Sequence, residues 1–184
     1  MEIDTVSELT DYFIQRMLDL NHRWLHRYKI SICSNGVLYF NPKVQNYIQK
    51  HCSHLSFSIS IDGNKQLHDS CRVFPDGSGS YDIAIAAVEH YVKTYNIPMG
   101  SKMTIAPGNV NYVCDAVKGL IEKNYTEINL NCVYEEGWTA EHATILYNQL
   151  KQLADYLIDN DLEQKIDLSI FNHNFFHPKD PKEV

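Results

Sequence analysis

The stretch Ser56–Asp82, SFSISIDGNKQLHDSCRVFPDGSGSYD, decides the fold that we predict for this chain. It begins with serines that alternate with apolar residues, the pattern of a β-strand with one buried face. Eighteen residues then separate this strand from Ser80, where a helix begins. Because loops longer than about 12–15 residues are usually functional or disordered, the stretch predicts a strand, a functional loop and a helix.

The rest of the chain alternates strand-like and helix-like segments in the same way. We predict strands over residues 28–33, 55–61, 102–106, 128–133 and 166–171. A first helix is predicted over about 6–26 from the capping-box spacing Thr5-x-x-Glu8, and further helices follow the caps Asn41, Ser80, Asn109 and Thr139. Strands that alternate with helices of this length need crossover connections, so the fold class is α/β with parallel strands.

Each predicted strand has one apolar face and one face of small polar side chains, such as Ser58 and Ser60 or Asn129 and Asn131. Parallel strands covered by helices on both faces usually read as continuous apolar runs. A polar group buried without a partner costs roughly 1–3 kcal/mol. The pattern therefore favours a partial (β/α) TIM-type barrel with a polar, water-accessible lumen. The alternative is a small filled barrel in which the serines hydrogen-bond to one another.

Length and charge narrow the function class. The chain has 184 residues and a formal net charge of −7, which argues against nucleic acid and anionic membranes as partners. It has no apolar run near the ~20 residues that span a bilayer, and its acidic start is unlike a targeting peptide. We expect a cytoplasmic protein with a barrel domain at 1–165, and a last strand and polar exit tail at 166–184. Its five cysteines are widely spaced and read as reduced thiols.

The loop after the second strand carries chemically capable side chains. Asp62, His68, Asp69 and Arg72 all lie in it, and ligands of parallel α/β folds bind at the carboxyl ends of strands. The competing interpretation is that Arg72 pairs with Asp69 or Asp62 and only fixes the loop. We interpret His68 as a residue that packs the loop.

Three segments, read together, resemble a known family. They are ISICSNGVLYFNPKVQNYIQ (30–49), SISIDGNKQLHDSCRVFPDGSGSYDIAIAAV (58–88) and KMTIAPGNVNYVCDAVKGLIEKNYTEINLNCV (102–133). In this order they resemble the radical S-adenosylmethionine enzymes, most closely the sulfatase- and peptide-maturing branch that carries a C-terminal SPASM or related domain. The match runs from about Tyr28 to Leu157.

The resemblance implies a partial (β/α)6 barrel that holds S-adenosylmethionine and a peptide or protein substrate in its lumen. Carried over by position, it implies that the cofactor-binding residues are Ser34, Asn35, Ser58, Ser60, Asp62, Arg72, Asn129 and Asn131. Hydroxyl and carboxylate groups suit ribose hydroxyls and an ammonium, and a guanidinium suits a carboxylate. No catalytic residue and no metal ligand is assigned.

The sequence also departs from the family pattern. It lacks the CxxxCxxC motif whose three cysteines hold the [4Fe–4S] cluster, the Gly-Gly-Glu-Pro motif, and the cysteines of a SPASM domain. We therefore expect a fragment of an iron–sulfur oxidoreductase that uses S-adenosylmethionine to make a 5'-deoxyadenosyl radical for peptide or protein side-chain modification. We expect the isolated chain to be inactive and to hold no cofactor stably.

Two alternatives stay open. One is a non-catalytic half-barrel that binds a partner or forms a homodimer through an exposed barrel edge. The weaker one is a metal-dependent hydrolase that uses His22 and His26 at i, i+4 with ligands from among His51, His54, His173 and His177. No Glu follows His22, so the HExxH pattern is absent.

Overall fold

The computed structural model describes residues 2–135 and 137–171. The chain divides into two compact units. The first unit contains the residues up to Ile61 together with Arg72–Met99, and the second contains Asp62–Cys71 together with the residues from Gly100 onward. The predicted division at residues 165 and 166 stays a prediction, and residues 172–184 lie outside the described part.

The first unit contains two strands that pair in parallel. Its elements are α1 (Ile3–Asp19), β1 (Ile30–Ser34), α2 (Pro42–His51), β2 (Leu55–Ile59) and α4 (Tyr81–Tyr95). Ile30 lies opposite Leu55, and Ser34 lies opposite Ile59. Two short 3₁₀ turns, Arg23–His26 and Cys52–His54, precede the strands. The predicted alternation of strands and helices is confirmed here.

The second unit contains a parallel sheet of three strands in the order β3-β4-β5. Its elements are α3 (Lys65–Cys71), β3 (Ser101–Ile105), α5 (Val113–Glu122), β4 (Glu127–Cys132), α6 (Ala140–Asp159) and β5 (Asp167–Leu168). The strand predicted over 166–171 is shorter than expected, because a 3₁₀ turn takes over at Ser169–Phe171. The predicted α/β class with parallel strands is confirmed.

The apolar strand faces form the two cores. In the first unit Phe57, Ile59 and Ile61 are buried together with Val44 and Ile48 of α2. In the second unit the buried side chains include Met103, Ile105, Val117, Leu120 and Ile128. Full burial of one such side chain stabilises the fold by about 1.5–3 kcal/mol. The opposite strand faces are more open: Ser56 and Asn131 are exposed, and Ser58, Ser60 and Asn129 are half-buried.

Two of the predicted helix caps are confirmed. The Asn41 side chain accepts a hydrogen bond from the backbone nitrogen of Lys43, with Pro42 at the first helical position. Thr139 and His142 form a reciprocal capping box at the start of α6. Both caps use a side-chain acceptor to satisfy a backbone N–H that has no partner within the helix.

The other predicted caps differ from expectation. The helix α1 begins at Ile3, so Thr5 lies inside it and forms no cap. Ser80 does precede α4, but its hydroxyl donates to the carbonyl oxygen of Arg72 at 2.8 Å and closes the preceding loop. The reason is local competition, since a serine hydroxyl binds whichever backbone group is in reach.

The segment between β2 and α4 is not the continuous loop that we predicted. It contains the helix α3, whose start is fixed by Asn64: the Asn64 Oδ1 atom accepts the backbone N–H of Leu67 at 3.0 Å. The remainder is a turn closed by a bridge between Val73 and Gly79. Among the described residues, the helices are too short or too polar for any of them to cross a lipid bilayer.

Candidate functional site

Five of the eight residues predicted to bind cofactor belong to the first unit. Ser58 and Ser60 lie on the polar side of β2, and the Ser60 hydroxyl lies 3.4 Å from the Sγ atom of Cys33. Ser34 is in register with Ile59, so its side chain shares a face with the apolar residues of β2 and not with Ser58. The structure thus brings Ser58, Ser60 and Cys33 together and leaves Ser34 on the other face.

Ser34 and Asn35 form the turn that follows β1. The Ser34 hydroxyl accepts the backbone N–H of Gly36, and Asn35 Oδ1 accepts that of Val37, both at 3.2 Å. Gly36 has a φ of +78°, and a Cβ atom there would lie 3.0 Å from the Cγ2 atom of Ile59. The Ser-Asn-Gly sequence therefore has a structural role, because only glycine fits this conformation without strain.

Asp62 is the best-anchored of the predicted residues and lies in the second unit. It is only 5% exposed, and its Oδ1 atom accepts the backbone N–H of Thr104 at 3.2 Å. Its own backbone N–H donates to the Nδ1 atom of His68, also at 3.2 Å. His68 is fully buried, which agrees with a packing role. Because Nδ1 accepts this bond, the neutral ring carries its proton on Nε2.

Asn129 and Asn131 lie on the polar face of β4. Asn131 is in register with Thr104 and Asn129 with Lys102. The side-chain amide of Asn129 lies 3.4 Å from a carboxylate oxygen of Glu127, and Asn131 is exposed. This face can therefore offer amide donors and acceptors to a polar ligand.

Arg72 is half-buried in the first unit, where its carbonyl oxygen accepts hydrogen bonds from the backbone and side chain of Ser80. In the second unit, Asp69 forms a 3.7 Å ion pair with Lys65, one turn away on α3. Asp69, which the sequence analysis names as a possible partner of Arg72, thus pairs with a lysine of its own helix.

A cavity that sequence reasoning missed lies within the second unit. It has a volume of about 450 Å³. Its wall consists of Asn64, Gln66, Leu67, Ser70, Cys71, Ala106, Gly108, Asn109 and Tyr112. The spacing of Gln66, Leu67, Ser70 and Cys71 is the signal that could have revealed it, since such residues share one face of a helix. That signal was lost because the segment was interpreted as a loop.

The cysteines do not fit the iron–sulfur cluster that the resemblance implies. None of the five forms a disulfide, and the part of the chain that the structure describes has no group of three His, Cys, Asp or Glu side chains placed to hold a metal ion. Burial raises the pKa of the Cys132 thiol, which disfavours the thiolate that a metal needs. Among the described residues, the structure therefore brings no three of these thiols together.

Comparison with solved structures gives a consistent likeness. The structure resembles hexahistidine-tagged anSMEcpe with bound AdoMet at a TM-score of 0.62 and 17% identity, over 85% of this chain and 43% of that one. It resembles native anSMEcpe with bound AdoMet and Kp18Cys peptide at a TM-score of 0.65 and 17% identity, over 88% of this chain and 46% of that one. The complex with Cp18Cys peptide gives a TM-score of 0.64 and 18% identity, with the same coverage.

The comparisons by sequence add nothing to this, since no protein-family model and no curated protein matches the chain. At 17–18% identity the likeness to the solved structures concerns the fold. The chain spans less than half the length of anSMEcpe. The resemblance inferred from the three sequence segments is confirmed at this level: the chain has the fold of part of anSMEcpe, an anaerobic sulfatase-maturating radical S-adenosylmethionine enzyme.

Proposed function

We propose that this chain is part of an S-adenosylmethionine-dependent enzyme that modifies a side chain of a peptide or protein. The observation that carries the proposal is the fold likeness to a protein solved with AdoMet and with peptides, over 85–88% of this chain. The polar strand faces of each unit support it separately. In the first unit Ser58 and Ser60 carry half-buried hydroxyl groups, and in the second unit Asn129 is half-buried and Asn131 exposes its amide to water. Such groups suit the ribose and base of a nucleoside.

We further propose that the chain alone performs no radical chemistry. The cluster ligands support this proposal. The family's cluster requires three converging thiolates, and the sequence has no CxxxCxxC motif to supply them. In the family the cluster chelates the methionine end of the cofactor, so the loss of the cluster removes that contact. The adenosine part is then the main source of affinity.

Calorimetric titration of the chain with S-adenosylmethionine and with adenosine tests the proposal. We expect both to bind weakly, with dissociation constants within about tenfold of each other. Asn131→Ala removes an exposed amide from the polar face of β4 and should weaken both ligands severalfold. Asn148→Ala removes an exposed amide from α6 and is the matched control. No heat with either ligand at millimolar concentration, or equal loss in both variants, contradicts the proposal.

A separate measurement tests the inactivity of the chain. Anaerobic incubation with iron and sulfide should give less than stoichiometric visible absorption from a [4Fe–4S] cluster after desalting. One cluster per chain, retained through desalting and lost in a cysteine variant, contradicts this part of the proposal.

A second candidate function, a dimerisation module, has its own support in the first unit. The helix α1 exposes Leu9 and Tyr12 by 64% and 66%, and among the described residues β1 pairs only with β2. Exposed apolar side chains and an unpaired strand edge both favour association. Light scattering after size-exclusion chromatography tests it: a dimer that Leu9→Lys converts to a monomer favours the module, and a monomer at all concentrations excludes it.

A further inference from the structure

The cavity of the second unit has walls from two segments. One wall is the face of α3 that carries Gln66, Leu67, Ser70 and Cys71, and the other is the turn from Ala106 to Tyr112 that follows β3. Its volume of about 450 Å³ lies within the roughly 300–1,000 Å³ typical of ligand pockets. Loops at the carboxyl ends of parallel strands are also where such folds bind ligands.

Among residues 2–135 and 137–171, the lining includes no Asp, Glu, Lys, Arg or His. The charged residues of α3 lie outside the lining. Lys65 and Asp69 form an ion pair at 3.7 Å, and neither lines the cavity. A charged ligand group that enters the cavity would lose its hydration without gaining an opposite charge, which is unfavourable. The cavity therefore selects an uncharged ligand.

The lining nevertheless offers hydrogen bonds. Asn64 uses its Oδ1 atom to accept from Leu67, and its Nδ2 group has no acceptor among residues 2–135 and 137–171. The Gln66 amide and the Tyr112 hydroxyl also lack partners in the described part of the chain. The lining thus offers the Nδ2 donor of Asn64, the amide of Gln66 and the hydroxyl of Tyr112, together with the apolar side chains of Leu67 and Ala106.

One lining amide is held rigidly. Asn109 is 8% exposed, its Oδ1 atom accepts the backbone N–H of Ala106 at 2.8 Å, and its Nδ2 atom donates to the carbonyl oxygen of Thr104 at 3.1 Å. These bonds fix the turn that forms the second wall. A preformed wall reduces the entropy lost when a ligand binds.

We propose that this cavity binds an uncharged peptide segment, a site separate from the polar strand faces proposed for the nucleoside. A peptide backbone presents one carbonyl and one N–H per residue, which match the amide groups of Asn64 and Gln66, and its apolar side chains match Leu67 and Ala106. The choice of a peptide over another neutral amide rests on the proposed function. The absence of charge and the hydrogen-bond groups are independent of that proposal.

Nuclear magnetic resonance of the full chain tests the site with three probes. The first is a blocked hexapeptide of Ala, Ser and Thr, the second is the same length with two Asp residues, and the third is acetamide. We expect the uncharged hexapeptide to shift the side-chain amide signals of Asn64 and Gln66 and the backbone signals of residues 106–112. The Asp-containing peptide and acetamide should each bind at least tenfold more weakly.

Gly108 provides a blocking variant with its own control. A Cβ atom at Gly108 meets no atom within 4 Å, so the residue can accept a side chain in the open space of the cavity. Gly108→Phe should reduce hexapeptide affinity at least tenfold, whereas Gly108→Ala should leave it within about twofold. Equal binding to Gly108→Phe and to the parent chain overturns the proposal, as does equal affinity for all three probes.

A second measurement needs no substitution. Cys71 lines the cavity and Cys33 lies in the first unit, and both thiols are exposed. The hexapeptide should slow the alkylation of Cys71 severalfold and leave the rate at Cys33 unchanged, as peptide mapping by mass spectrometry can measure. Unchanged alkylation of Cys71 at saturating peptide overturns the proposal.

The proposal for the nucleoside and the proposal for the cavity can be refuted independently of each other. Adenosine titration of Gly108→Phe should match that of the parent chain, because the cavity lining includes none of the residues proposed for the nucleoside. Nucleoside binding without peptide binding overturns the cavity proposal alone. Peptide binding that survives loss of nucleoside binding overturns the proposed function and leaves the cavity as a peptide site.

Discussion

The Oδ1 atom of Asp62 lies 3.2 Å from the backbone nitrogen of Thr104 and accepts its hydrogen bond. The two residues are separated by 42 positions in the sequence, and the bond joins the segment after β2 to strand β3 within the second unit. A carboxylate predicted from the sequence as a ligand group therefore also holds the fold. Any substitution of Asp62 tests both roles at once.

Substitution of Asp62 should reveal its structural role through the stability of the chain. Asp62→Ala removes the acceptor and leaves the Thr104 N–H without a partner, which should lower the free energy of unfolding by about 1–3 kcal/mol. Asp62→Asn keeps an oxygen acceptor without the charge and should lower it by less. Urea denaturation measures both. A loss in Asp62→Ala no larger than that in Asp62→Asn contradicts the structural role.

Gly63→Ala should be strongly destabilising. Gly63 has a φ of +82°, and an added Cβ atom would overlap the side chain of Ala116 and lie 2.8 Å from its Cα atom. Strain and overpacking together should lower the free energy of unfolding by about 2–4 kcal/mol. Gly108→Ala is the matched control, since it meets no atom and should change stability by less than about 1 kcal/mol. Thermal melts that rank the two variants in the opposite order would refute this prediction.

His51 should make stability depend on pH. Burial, and then the charge of Lys50, lowers the pKa of His51 below 6.5, against the smaller opposing effect of Asp11. The Nε2 atom of His51 is buried without a hydrogen-bond partner in the part of the chain that the structure describes. The unfolded chain therefore binds a proton at a higher pH than the folded chain does. This contribution to stability is complete above about pH 7 and is lost as pH falls below 6.5 towards the folded pKa.

Comparison with His51→Gln isolates this contribution, since glutamine does not titrate. Urea denaturation at about pH 7.5 and about pH 5.5, on either side of the unfolded pKa, should show that the parent chain loses more free energy of unfolding than His51→Gln does. The other histidines cancel in this difference. Equal losses in the two proteins, or a folded-state pKa at or above 6.5 by proton resonance titration, would show the assignment to be wrong.

Thr139→Ala should weaken the start of α6. The Thr139 hydroxyl accepts the backbone N–H of His142 at 3.3 Å, and the His142 ring accepts that of Thr139 at the same distance. Loss of a cap of this kind lowers stability by about 0.5–2 kcal/mol. Thr139→Ser keeps the hydroxyl and serves as the control. Hydrogen exchange at residues 140–143 should accelerate in the alanine variant only; uniform exchange in both would contradict the capping role.

The strands were predictable because their polar and apolar residues alternate. Each predicted strand from 28 to 133 overlaps an observed one, and no end differs by more than two residues. The caps at Asn41 and Thr139 were also readable, since each lies directly before an apolar helical pattern. Ser80 and Asn109 show the limit of such reasoning, because their side chains bind backbone groups of the preceding segment, at Arg72 and Ala106, and do not cap the following helix.

The cavity was missed for a related reason. Its first wall depends on a helix of seven residues, Lys65–Cys71, too short for a clear apolar repeat. Its second wall depends on how Asn109 folds the turn after β3. The cofactor-binding role of the eight residues stays a prediction. The structure shows that the side chains of Asp62, Ser34 and Asn35 accept hydrogen bonds from backbone N–H groups.

The path of the chain between its two units limits how the protein can be dissected. The backbone passes from the first unit to the second at Ile61, returns at Arg72 and passes again at Gly100. Expression from Gly100 onward would omit the ten residues that supply Asp62, the packing of Gly63 against Ala116 and one wall of the cavity. Gene truncation therefore cannot yield the second unit intact, whereas a gene that fuses residues 62–71 directly to the segment that begins at Gly100 could.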